Sequence, residues 1–309
     1  MNAASAPRPR RPLTYAKLIL AMAMWGGTWI AGRIIAGELT APLAVAAVRF
    51  VVAGLIVAGV MLISGRDIPL PRNRREWGLV WALGFFGIFL YALCFFYGLQ
   101  RIPAGRGALV VALNPVVIVL IAWLIGKERI NPQKALGCAV ALGGCLLVVG
   151  NGNPLALLSG SVGLGEWLIM GCVATWTIYT FISWRVAGQF SPLSMTLYAC
   201  LTGAILLGLA AFAQGGVAPG QWSWRVWSSM LFLAVFGTAI GYTWFTAAVH
   251  QLGASHASIF LNLVPVFAVL QAALLLDEHL DPPVLLGGFL VIVGVWLTTR
   301  QQTSLEKTP

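Results

Sequence analysis

Trp25 and Trp29 stand four residues apart in the run AMAMWGGTWIAGR, and Trp176 and Tyr179 stand three apart in CVATWTIYT. On a helix that spacing brings both rings of a pair to one face. Tyr91 with Phe95 and Tyr242 with Phe245 repeat the pattern. These eight aromatic side chains could line an apolar cavity that accepts a planar or hydrophobic group. Tyrosine hydroxyls and indole N–H groups would supply its polar contacts. The competing expectation is that the rings only pack helix against helix or lipid. Asn114 and Asn262 carry amides close to Pro115 and Pro265. A proline inside a helix frees a carbonyl one turn earlier, so each amide is a candidate substrate contact beside a candidate hinge or gate. Against this stands an amide that satisfies a neighbouring helix.

Ionisable groups offer less. The nine acids are Glu38, Asp67, Glu76, Glu128, Glu166, Asp277, Glu278, Asp281 and Glu306, and none lies deep in an apolar run. A buried carboxylate relay is therefore poorly supported. Glu166 is the least peripheral, and it reads as an interfacial carboxylate able to reach water, with proton or substrate coupling as the alternative. Glu128 and Glu278 sit near helix C-termini, where the dipole disfavours an anion, so cations or loop amides should compensate them. Arg49 lies well inside an apolar run, where its guanidinium either snorkels outward, pairs internally or meets a carboxylate substrate. His250 and His256 flank one loop and His279 lies in another, with no carboxylate cluster beside them. No catalytic constellation, metal-ligand set, phosphate loop or cofactor motif emerges. Cys94, Cys138, Cys145, Cys172 and Cys200 fall inside apolar runs and read as unpaired small apolar side chains.

The elements that must position these groups are apolar and long. Hydrophobic residues make up 59% of the chain and charged residues 9%, against about 25% charged in a soluble domain. Spanning-length runs fall at 18–36, 42–63, 77–98, 104–125, 133–150, 161–183, 192–212, 226–248, 255–276 and 283–299. The expected fold is an all-α integral membrane protein of ten transmembrane helices, with a tail at 1–15 and another at 301–309. Alternating strand patterns are absent, which removes a transmembrane barrel. If the N-terminus is cytoplasmic, that side holds fourteen Lys and Arg residues and the other four. The bias places both termini inside. The basic residues lie in short clusters between spans, so they read as topology signals and nucleic acid is not an expected partner. The lipid bilayer and a small-molecule substrate are.

The chain also repeats itself. At an offset of 150, Pro42, Trp77, Gly87, Pro115, Glu128, Pro132, Gly137 and Gly144 meet Pro192, Trp227, Gly237, Pro265, Glu278, Pro282, Gly287 and Gly294 without a gap. Residues 16–150 and 151–300 are read as two five-helix copies. Five is odd, so the second copy should enter the membrane from the opposite face, with a binding site between the halves. Under the same offset Trp29 corresponds to Tyr179 and Phe95 to Phe245. Gly137 with Gly144, and Gly287 with Gly294, form small-residue faces suited to close helix contact within the chain or between protomers, so a homodimer is left open.

The first-span run AMAMWGGTWIAGR, with NPVVIVLIAWLIGKERINPQKALGCAVALGGCLLVVG and VPVFAVLQAALLLDEHLDPPVLLGGFLVIVGVWL, resembles the two EamA domains of the drug/metabolite transporter superfamily. The resemblance covers residues 16–299, and the aromatic-rich first half looks most like the YddG-type aromatic amino-acid exporters. It implies a ten-span carrier of the bacterial inner membrane that exports amino acids and related metabolites through a central cavity. The expected function is thus secondary transport of amphipathic metabolites, with aromatic or hydrophobic amino acids ranked first. Hydrophobic cations, drugs or other metabolites are the alternative substrates, and a membrane-embedded enzyme is the alternative of a different class.

Overall fold

The computed structural model describes residues 11–66, 68, 70–124, 131–153, 155, 162–186, 189–215, 219–252 and 260–299, and it holds helices and no strand among them. The first copy comprises α1 (Arg11–Glu38), α2 (Leu43–Ile63), and α3 (Arg74–Gly84), which runs through a π-helical segment, Phe85–Leu90, into α4 (Tyr91–Leu99). Next come α5 (Ala104–Val111), α6 (Asn114–Leu124) and α7 (Pro132–Val149). The second copy comprises α8 (Leu164–Val186), α9 (Pro192–Ala213), and α10 (Trp224–Phe232), a π-helical segment at Leu233–Ile240, and α11 (Gly241–Leu252). A 3-10 turn at Phe260–Asn262 leads into α12 (Leu263–Leu276), and α13 (Pro282–Thr299) completes the order.

Among the described residues seven helical stretches are long and apolar enough to cross a membrane, and two shorter apolar ones occupy Phe260–Leu276 and Pro282–Leu297. Their outward faces are apolar too: Ile63 is 90% and Phe212 80% exposed. Such surface is costly in water and matched by hydrocarbon.

Local chemistry explains where helices begin. Asn73 precedes α3 and its side chain accepts from the Glu76 N–H at 2.9 Å, while its amide donates to Glu76 Oε1. Ser223, 150 residues on, accepts from the Val226 N–H at the start of α10. The two copies thus cap the same helix with different residues of one capping class. The π-helical segments also share a register, since Gly87 and Gly237 lie inside them.

Equivalent helices pack against each other. A Cβ on Gly144 would meet the carbonyl oxygen of Gly287, and one on Gly294 would meet that of Gly137. Shifting by 150 residues exchanges these two contacts, so α7 and its counterpart α13 cross antiparallel with backbones touching. The small-residue faces therefore meet within the chain. α2 and α9 form a second equivalent pair, with Gly54 against Cys200 and Leu201.

The prolines do not kink a helix interior. α5 ends at Val111, and α6 restarts at Asn114 with Pro115 as its second residue. Pro265 is likewise the third residue of α12, just after the 3-10 turn. In a first turn the missing proline N–H would have no intrahelical partner, so the ring costs little there.

Candidate functional site

Side chains of both copies enclose a cavity of about 360 Å³. α1 contributes Trp25 and Trp29, α4 contributes Tyr91 and Phe95, α8 contributes Trp176 and Tyr179, and α11 contributes Tyr242. Asn114, Asn262 and Pro265 also line it, whereas nothing is described of the Pro115 side chain. One wall is a continuous chain of rings. Trp29 meets Phe95 with centroids 5.0 Å apart, Phe95 meets Tyr91 at 6.0 Å, Tyr91 meets Trp176 at 5.8 Å, and Trp176 meets Tyr179 at 5.3 Å. Trp25 and Tyr242, at 5.4 Å, carry the aromatic surface onto α11.

Phe245 departs from the expected lining. It packs on Trp25 at 5.3 Å, in the cluster that holds Leu18 and Met22, and is not among the cavity residues. It follows Tyr242 by three residues, which rotates it about 60° around the helix. That turn carries its ring behind Trp25.

The sequence reading missed the residues that seat the rings. A Cβ on Gly87 would run into Tyr179, and one on Gly107 into the Trp29 ring. Gly87 and Gly237 line the cavity within the π-helical segments, and the Trp25 indole donates to the Gly237 carbonyl at 2.8 Å. Their shared register in the repeat was a usable signal. Thr28, Phe50, Cys200 and Thr238 also line the cavity and carried none.

Two polar groups in the wall lack full partners. Asn114 is buried, and its Oδ1 has no hydrogen-bond partner among the described residues. Arg49 turns into the cavity rather than outward. Its Nη2 lies 3.5 Å from the Thr238 hydroxyl, its Cζ lies 4.5 Å from the Phe50 ring centroid, and its Nε has no hydrogen-bond partner among the described residues.

The acids are tied into structure. Glu278 accepts from the backbone N–H groups of Ala104 at 3.1 Å and Gly105 at 3.2 Å, and Arg33 Nε stands 3.7 Å away. Arg33 also donates to the Leu99 carbonyl. This cluster joins α12 to the start of α5 and to α1. Glu166 does not reach water as expected: it is buried and pairs with Arg106 at 3.0 Å. Arg106 in turn donates to the carbonyls of Val148 and Val149, so the carboxylate completes a closed set of partners. Glu128 and His256 lie outside the described residues. None of the five cysteines forms a disulfide, and four of them are buried.

The model of the EamA-like transporter family matches this chain twice, over residues 13–150 and 163–300. The chain belongs to that family. EamA-like proteins are multi-pass membrane transporters, and the chain resembles several curated relatives. An uncharacterized transporter of Bacillus subtilis is 30% identical over 259 residues, covering 82% of this chain and 83% of its own. An uncharacterized transporter of Archaeoglobus fulgidus is 28% identical over 92% of this chain and 98% of its own. A probable terminal-alkyne amino-acid exporter of Streptantibioticus cattleyicolor is 27% identical, with 92% of each chain covered. A solved crystal structure superimposes on 96% of this chain and 99% of its own with a TM-score of 0.65 at 21% identity, which shows a shared fold.

Proposed function

We propose that this chain is a secondary transporter that exports amphipathic small metabolites, aromatic or hydrophobic amino acids first among them, across the bacterial inner membrane. The observation that carries the proposal is the aromatic-walled cavity built by both copies. Its volume, about 360 Å³, lies at the small end of the range of ligand pockets, about 300–1,000 Å³. That suits one small molecule with a planar or apolar body. The relative described as a probable amino-acid exporter supports the substrate class.

Ten spans, with both termini cytoplasmic and the copies inverted, complete the proposal. The antiparallel crossing of α7 with its own counterpart α13 supports inversion, because equivalent helices in inverted copies run in opposite directions. Alternating access then follows from exchanging the conformations of the two halves about the cavity. Pro115 and Pro265, each at a helix restart, are the proposed hinges. The test is counterflow of labelled phenylalanine into proteoliposomes, with and without a proton gradient. Saturable exchange is expected, and Tyr179→Ala should lower it at equal reconstituted amount. No saturable exchange of any aromatic or hydrophobic amino acid would overturn the substrate class.

A further inference from the structure

Arg49 is the charged side chain of the cavity wall. Among the described residues that line the cavity there is no Asp, Glu, Lys or His. Arginine stays protonated in proteins and offers five N–H donors in a planar fork. Here one of those nitrogens has only a long contact, 3.5 Å to the Thr238 hydroxyl, and Nε has none among the described residues. The Thr238 hydroxyl donates to the Leu233 carbonyl, so it can turn only an acceptor lone pair toward Arg49. The Phe50 face lies against the guanidinium and contributes a modest cation–π attraction, without using an N–H. A guanidinium in a low-dielectric wall with unused donors is costly unless an anion arrives to meet it.

We propose that Arg49 is the carboxylate receptor of this site, and that the site selects monocarboxylates with an aromatic or apolar body whether or not they carry an amino group. The inference rests on the transport proposal above and sharpens its substrate class. A carboxylate can take two parallel N–H bonds from the fork. From Arg49 the ligand body extends along the wall formed by Tyr91, Phe95, Trp176 and Tyr179. Among the described lining residues nothing acidic provides a matching charge for an ammonium group, and the Asn114 Oδ1 acceptor supplies only a neutral partner. The carboxylate is therefore the polar handle the site requires, and an amine adds at most a contact to Asn114 Oδ1.

The test uses wild-type protein in nanodiscs and isothermal titration with a matched phenyl series: phenylalanine, 3-phenylpropionate without the amine, and 2-phenylethylamine without the carboxylate. Hexanoate and hexylamine form an aliphatic pair. Both phenyl acids should bind saturably, with phenylpropionate at least as tight as phenylalanine and the amine at least tenfold weaker. Arg49→Gln should reduce both acids to the level of the amine, and Arg49→Lys should retain part of the preference. The series on wild-type protein stands even if Arg49→Gln fails to fold. Amine binding as tight as acid binding, or acid binding unchanged in a folded Arg49→Gln protein, overturns the role of Arg49 and leaves the aromatic cavity standing. Binding of hexanoate but of no phenyl ligand, lost in Arg49→Gln, overturns the aromatic part and keeps Arg49. Binding of none of the five overturns both.

Discussion

Glu278→Gln tests whether one carboxylate holds α12, α5 and α1 together at a single point. In the wild type the carboxylate takes two backbone N–H bonds, at 3.1 and 3.2 Å, from Ala104 and Gly105. An amide presents only one acceptor oxygen, so one N–H loses its partner and the other loses the charge. Hydrogen bonds to charged groups are worth about 1.5–3 kcal/mol and neutral ones about 0.5–1.5 kcal/mol. The combined loss is about 3 kcal/mol. Arg33 adds little, because its side chain is 32% exposed and its nitrogen stands 3.7 Å away. A loss of about 3 kcal/mol raises the local opening constant by roughly two orders of magnitude. Hydrogen–deuterium exchange in nanodiscs reads that constant directly. The amides of Ala104 and Gly105 should exchange about 100-fold faster in the variant, while α9 keeps its wild-type protection. Unchanged exchange at those two amides would refute the local link, and equal acceleration throughout the chain would show a global loss of stability instead.

Trp25→Phe removes the indole N–H that reaches the Gly237 carbonyl at 2.8 Å, and should cost about 1–3 kcal/mol in thermal or denaturant unfolding of the purified protein. Gly144→Val places a Cβ where the Gly287 carbonyl oxygen is 2.5 Å away and should cost about 3 kcal/mol. Its control, Gly143→Val, points into open space and should leave the monodisperse yield on size exclusion near wild type. Glu166→Gln leaves Arg106 without its buried carboxylate and should cost about 3 kcal/mol, whereas the double variant Glu166→Leu with Arg106→Met should recover a measurable part of that loss in a double-mutant unfolding cycle.

Much of the helical arrangement was legible because hydrocarbon demands uninterrupted apolar length, and the chain supplies it in runs bounded by charge, proline and capping residues. Asn73 and Ser223 mark two of those boundaries, and the helices begin beside them. The aromatic wall was legible through helical spacing: Trp25, Trp29, Tyr91, Phe95, Trp176 and Tyr179 all face one space. Spacing gives a common face but not its direction to within 60°, which is why Phe245 was placed in the lining and stands behind Trp25. Arg49 could not be oriented from sequence, since snorkelling and inward projection use the same residue at the same depth and differ only in what the facing helix offers. The helix restarts at Asn114 and Leu263 were also hidden. Ala112 and Leu113 interrupt the first without any polar or glycine signal, so a proline midway along an apolar run reads as a kink within it. The π-helical segments leave no compositional trace, because a shifted hydrogen-bond register uses the same apolar residues as an ordinary helix.

Arg49 also has an electrical consequence. Under the proposed alternating access and carboxylate role, an empty site would cross the transmembrane field with a fixed positive charge. A site holding a monocarboxylate without an amine would cross with none, and one holding a zwitterionic amino acid would keep the charge. Each elementary charge carried across the whole field is worth about 2.3 kcal/mol per 100 mV. An interior-negative potential would then leave the outward, loaded half-cycle unaffected and draw the vacant site back toward the cytoplasm. Export of such a monoanion would then be driven by voltage without any proton being moved, whereas export of a zwitterion would not.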